Sequence, residues 1–264
     1  MEFNKVIYEV QDGIAVITMN YMKNLNAIDV PMAEELIQAI DLAEKDSAVK
    51  VIVIKGAPKA FSAGGDIGYF YDLIQKGGEI DMTTLIERVG TLAVKIKKSP
   101  KMVITSVSGA AAGAGIGLAA AGDFLICADN AKFILAFVNL GLVPDTGTVY
   151  FLSKAIGTAR TMDLAATGRV MGAEEAKEVG LAYKVTTVEE LDEVTMKFAR
   201  KLAAGPQISY RDIKKQMYDA SYADFEKWIT ESEGFTQKEC SKTEDFQEGV
   251  KAFMEKRKAQ FIGK

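Results

Sequence analysis

Between Ser106 and Ala128 the chain reads SVSGAAAGAGIGLAAAGDFLICA, and before Phe124 it carries hardly a bulky side chain except Val107, Ile116 and Leu118. By length alone the run is a membrane-span candidate. However, Gly and Ala dominate it and Asp123 sits inside it. Small residues let other backbones approach closely, so the run reads as a tightly packed interior segment rather than a span in lipid. Strand-like MVITSVSG precedes it and FLICAD closes it, so a tight turn and a small-residue helix are expected between two buried strands.

The flanking sequence extends this pattern. KVIYEVQDGIAVITMN predicts two strands around an Asp12-Gly13 turn. DVPMAEELIQAIDLAEKD predicts a helix with Asp29 as N-cap and Pro31 in its first turn. VKVIVIKG is then a short β-branched run ending at Gly56, as expected of a buried strand. Strand, helix and buried strand in that order imply a βαβ crossover and a partly parallel sheet. Further on, Pro100 marks a helix stop, TVYFLSKAIG and Ala173–Val179 predict helices, and the pattern beyond about residue 190 is helical. The stretch Ile74–Thr84, with its paired glycines, is expected to be a mobile loop.

Composition removes several chemistries. The chain has 264 residues and no histidine, which excludes Ser-His-Asp and Cys-His catalysis and His-based zinc sites. Acid-base work must fall to carboxylates, lysine, tyrosine, hydroxyls or the backbone. Cys127 and Cys240 are far apart and form no C-x-x-C, which predicts free thiols in a reducing, cytoplasmic setting. The N-terminus lacks a signal-peptide pattern. A net charge of −4 without a long basic run counts against a nucleic-acid partner.

Three short motifs could carry chemistry. FSAGGDI (Phe61–Ile67) and SGAAAGAGIGLA (Ser108–Ala119) each follow a strand and lead towards a helix. Two such turns brought together could offer two N–H groups to one oxyanion, and the alternative is plain close packing. GAGIGL does not open the first βαβ unit, so NAD binding is discounted. The third motif, NLGLVPDTGT, places Asp145 in an uncharged, mostly apolar run. An Asp ahead of a helix is a favoured N-cap, and the local sequence leaves cap and catalyst both open.

FSAGGDI, SVSGAAAGAGIGLAAAGDFLICADNAKF, NLGLVPDTGT, ATGRVMGAEEAKEVGLAYKV and FQEGVKAFMEKRKAQF, in that order, resemble the enoyl-CoA hydratase/isomerase (crotonase) superfamily over nearly the whole chain. The resemblance implies an α/β fold, a ββα superhelix of two stacked sheets surrounded by helices, with a C-terminal helical region. It divides the chain into a core over residues 1–195, with the acyl-thioester site, and a helical trimerisation region over 196–264. It further implies a homotrimer or dimer of trimers, with neither membrane nor nucleic acid as partner. The substrate would be an acyl thioester, with coenzyme A as part of it and no separate cofactor or metal. The family's oxyanion donors fall on the backbone N–H groups of Gly65 and Ala114. Its adenine contacts fall on the loop around Ala63, Asp66 and Ile67. Lys23, Lys256 and Arg257 are candidates for the CoA phosphates, with solvated surface charge as the alternative.

The two glutamates with which the family's hydratases activate water fall on Gly117 and Phe137. Asp145 instead matches the aspartate of isomerase branches, and AFVNLGLVPDTG looks closest to phenylacetate-pathway epoxide isomerases and to isomerases that make cis-3-enoyl-acyl carrier protein. The resemblance therefore implies an isomerase with Asp145 as its single acid/base. The apolar neighbours Phe137, Leu142 and Val143 are expected to strip water from it. The alternatives are an atypical hydratase or hydrolase, or a non-catalytic binding member. Tyr69, Phe70, Leu73 and Ile74 are candidates for the acyl-pocket wall.

Overall fold

The computed structural model describes residues 3–57, 59–77 and 80–264. Part of the expected loop, Gly78 and Glu79, lies outside these residues.

Strands β1 (Val6–Gln11) and β2 (Ile14–Met19) pair antiparallel with Gln11 opposite Ile14. Asp12 and Gly13 both take positive φ, as a two-residue hairpin turn needs. Helix α1 (Val30–Lys45) starts where expected: Asp29 Oδ1 accepts from Met32 N at 2.9 Å, and Pro31 sits in the first turn. The crossover returns the chain to β3 (Val51–Gly56), parallel to β2. β4 (Ala60–Ser62), α2 (Ile67–Lys76), α3 (Thr83–Lys98) and β5 (Met102–Val107) follow. The small-residue run forms β6 (Ala110–Ala112), α4 (Ala114–Ala121) and β7 (Phe124–Ala128). Next come β8 (Lys132–Ile134), a 3₁₀ turn (Ala136–Leu140), α5 (Thr148–Ala155), α6 (Thr158–Thr167), β9 (Val170–Gly172), α7 (Ala173–Glu178) and β10 (Lys184–Thr186). The remainder is helical: α8 (Leu191–Ala203), α9 (Gln207–Ser221), α10 (Phe225–Trp228), a π-helical turn (Ile229–Gly234), α11 (Phe235–Ser241) and α12 (Glu244–Met254).

The strands form two sheets, as expected: six strands ordered β1-β2-β3-β5-β7-β10 and four ordered β4-β6-β8-β9. The larger sheet is covered on both faces. Ile14, Val16, Val51, Val53 and Ile104 pack against Leu191, Ala199 and Leu202 of α8. The alternate residues Ile17, Ile52, Ile54 and Val103 join the main core with α1, α3 and the smaller sheet. Continuous apolar strands follow from this double covering. α4 is almost wholly buried, and no helix among the described residues is long and apolar enough to cross a membrane. Asp123, the one charge in the run, accepts on Oδ2 from Val103 N (2.8 Å) and from Nζ of buried Lys214 (2.7 Å), so its charge is paired within the protein.

The smaller sheet matters most for the site. β4, β6 and β8 run parallel, so their C-terminal ends share one edge. β4 runs into the turn 63–66, β6 into Gly113 and α4, and β8 into the 3₁₀ turn that leads to Asp145. One sheet edge thus delivers three sequence-distant motifs to one place.

Candidate active site

The two glycine turns meet backbone to backbone. A Cβ on Gly64 would lie 2.7 Å from Ala112 O, and one on Gly113 would lie 3.5 Å from Gly64 Cα and 4.0 Å from Gly65 N. Both glycines take positive φ (+91° and +50°), so a side chain at either is excluded by conformation, and at Gly64 also by space. Ala114 is the first residue of α4, so its N–H has no acceptor within the helix. Gly65 N has no backbone acceptor among the turn and loop hydrogen bonds of the described residues. Gly65 and Ala114 line the same cavity, of about 50 Å³.

Asp145 lines that cavity as well, and it is the only ionisable residue among the described residues that do. Phe70, Phe137 and Leu142 supply apolar walls. The structure shows that Asp145 is not the cap of the following helix. Thr146 and Gly147 are left-handed (φ 58° and 72°), and α5 begins only at Thr148, with Gly147 as its N-cap. The Asp145 side chain caps nothing. Its Oδ1 accepts from Thr146 Oγ1 (2.9 Å) and its Oδ2 from Gln237 Nε2 (3.2 Å). The carboxylate at the helix start comes instead from Glu233, which accepts Gly147 N–H on both oxygens at 3.1 and 2.9 Å. Asp145 is thereby left for the cavity.

Asp145 is 9% exposed, and burial pushes its carboxyl up to about 6, while the hydrogen bonds from Thr146 and Gln237 pull the other way. Glu233 is 4% exposed and held well above the usual range, first by burial and then by the charge of Asp145. The result is a carboxylate more basic than an ordinary Asp, facing an apolar cavity beside two backbone donors. Such a site can take a proton from a carbon acid while the donors hold the oxyanion that forms.

The sequence profile described as enoyl-CoA hydratase/isomerase matches residues 9–264. The chain belongs to that family. It is 38% identical over the full length of both chains to trans-2-decenoyl-[acyl-carrier-protein] isomerase of Streptococcus mutans. It is 34% identical, again over both full lengths, to 1,2-epoxyphenylacetyl-CoA isomerase of Escherichia coli. A crystal structure of an enoyl-CoA hydratase from Mycobacterium avium subsp. paratuberculosis superposes with a TM-score of 0.89 at 28% identity, covering 99% of this chain and all of the other. The two-sheet architecture is the crotonase fold of this enoyl-CoA hydratase/isomerase family.

The two positions to which the resemblance assigned hydratase glutamates carry no carboxylate. A Cβ on Gly117 would lie 2.5 Å from Thr148 Oγ1 and 2.8 Å from Thr146 Cβ, so threonines fill the space a side chain there would need. Phe137 is a buried ring on the cavity wall. Of the other residues singled out from sequence, Ala63 and Ile67 line the cavity with Gly65. Asp66 caps α2 through Tyr69 N (3.2 Å) and accepts from Asn24 Nδ2 (2.8 Å). Lys23 is exposed next to that asparagine. Lys256 and Arg257 lie after α12 and do not line the cavity, and the Arg257 guanidinium is held by Glu248 and Glu255. Phe70 is the one acyl-wall candidate on the cavity; Leu73 and Ile74 pack against the core, and Tyr69 is exposed. Sequence reasoning missed Glu233 and Gln237. Their i, i+4 spacing places both on one helix face, but such pairs are ordinary on solvated helices, so spacing alone does not mark them.

Proposed function

We propose that the protein is an acyl-thioester isomerase that shifts a double bond with Asp145 as its single acid and base. The observation that carries this reading is that, among the described residues, Asp145 is the sole ionisable one on a cavity that also holds Gly65 and Ala114. For a 3-enoyl thioester, the Asp145 carboxylate takes a proton from C2. The electron pair spreads over C2–C4 and the thioester oxygen, where the Gly65 and Ala114 N–H groups receive it. The same proton returns at C4, giving the conjugated 2-enoyl product, and no water is consumed. With its carboxyl near 6, Asp145 is roughly nine-tenths ionised at pH 7 yet basic enough to serve.

Hydration is disfavoured because Gly117 has no room for a side chain and Phe137 is apolar. The named isomerase relatives carry acyl chains on either acyl carrier protein or CoA. Both carriers end in the same phosphopantetheine arm, and the arm would run past Ala63 and Ile67, with coenzyme A forming part of the substrate. Lys23, next in sequence to Asn24, which donates to Asp66 of that turn, is the cation this reading assigns to a phosphate. Exposed Ile208, Ile213 and Met217 on α9 support self-association through the C-terminal helices, as in a trimer.

The test is a product assay on 3-enoyl-CoA thioesters of several chain lengths. The conjugated 2-enoyl product, lost in Asp145→Asn, is expected. A 3-hydroxyacyl product would move the enzyme to the hydratases.

A further inference from the structure

Glu233 and Gln237 straddle the junction between the π-helical turn and α11, and both are buried, Gln237 completely. Each ends on the segment that carries Asp145. Gln237 accepts Val143 N–H on Oε1 at 3.2 Å and donates from Nε2 to Asp145 Oδ2 at 3.2 Å. Because a backbone N–H can only donate, the Val143 contact fixes which way the amide faces, and its nitrogen must point at the carboxylate. Glu233 accepts Gly147 N–H on both oxygens. The loop is therefore gripped two residues before Asp145 and two residues after it, and the carboxylate itself is held between.

We propose that Gln237 and Glu233 are positioning residues for the double-bond shift, Gln237 fixing the rotamer of the Asp145 carboxylate and Glu233 fixing the backbone that bears it. The inference rests on the isomerase reading above. A lone acid must collect a proton at one carbon and release it at another without turning away, so its orientation has to survive both protonation states. The two hydrogen bonds divide that task. Gln237 Nε2 can only donate, which favours Oδ2 as the carbonyl oxygen of the protonated acid and leaves the travelling proton on Oδ1. There the Thr146 hydroxyl, which donates to Oδ1 when Asp145 is ionised, can rotate to accept. The ionisable neighbour of Asp145 is Glu233, which feels its charge but spends its own oxygens on Gly147.

The experiment pairs steady-state kinetics on a 3-enoyl-CoA with ¹³C titration of the Asp145 carboxyl, assigned by Asp145→Asn. Gln237→Met is expected to lower kcat at least tenfold with KM within twofold, and to raise the Asp145 midpoint by half a unit or more, since a hydrogen bond to the charged form is gone. Glu233→Leu is expected to lower kcat likewise. Glu233→Gln, which keeps an acceptor for Gly147 N–H, is expected to restore kcat to within about threefold of wild type. An unmoved midpoint in Gln237→Met, or a loss seen only in KM or in folded yield, overturns the proposal. If Gln237→Met does not fold, Gln237→Leu carries the same test: it too removes the donor without adding a charge beside Asp145, and must raise the midpoint. If wild type fails to isomerise 3-enoyl thioesters, the functional reading falls, while the titration still decides whether Gln237 positions the carboxyl.

Discussion

Asp145→Asn separates what this carboxylate does for chemistry from what it does to the fold. Folding lifts the Asp145 carboxyl from 3.8 to about 6, so the folded protein binds a proton that the unfolded chain releases across that window. Stability attributable to this group therefore falls as pH rises from 4 to 6 and is constant above. At about 1.36 kcal/mol per unit, the charged aspartate costs the folded state on the order of 3 kcal/mol at pH 8. Asparagine removes the charge but keeps one acceptor and one donor, and the Thr146 hydroxyl can reverse to match. The variant is expected to be more stable than wild type by about 1–3 kcal/mol at pH 8, by about half as much at pH 5, and equal near pH 4. Its kcat is expected to fall by about 10²–10⁴-fold. Denaturant midpoints at the three pH values, with turnover on the same samples, give the answer. A variant that is less stable at pH 8, or whose gain does not grow with pH, would refute the claim that burial raises this carboxyl.

Further outcomes follow from the same geometry. The kcat/KM of the wild-type enzyme should rise with pH to a plateau, with its limb near 6, because the base must be ionised and burial has raised it; a limb near 4 would contradict this. Gly117→Glu should not create hydratase activity and should destabilise the protein by about 2 kcal/mol or more, since its Cβ would meet Thr148 and Thr146; chiral analysis for 3-hydroxyacyl product and a melting curve check both points. Lys214→Met should cost about 1–3 kcal/mol by taking from half-buried Asp123 its direct hydrogen-bonded cation, with turnover per folded enzyme unchanged.

Much of this was legible in the chain. The Asp12-Gly13 hairpin, the Asp29 cap and the apolar β-strands are set by neighbours in sequence, so local patterns reveal them. Asp145 stood out as the one charge in an apolar run, whereas Gly65 and Ala114 were singled out only through the family resemblance of their glycine-rich motifs. The three-residue strands β6 and β8 have little periodicity of their own and exist through pairing with one another, which sequence does not display. The N-cap ambiguity at Asp145 turned on two left-handed residues, Thr146 and Gly147, which delay the helix to Thr148. Glu233 and Gln237 were out of reach for a related reason: their role depends on a π-helical turn and on a loop far upstream, neither of which leaves a local pattern.

The contacts on the Asp145 loop span 86 to 94 residues of chain. That separation orders events during synthesis. The donor turns and Asp145 leave the ribosome before Glu233 and Gln237, so a nascent chain can pair the small sheet that gathers the three motifs before the side chains that grip the Asp145 loop are present. If these two side chains position the carboxylate as proposed above, a chain cut short before the π-helical turn carries its donor turns and its acid without the contacts that aim them.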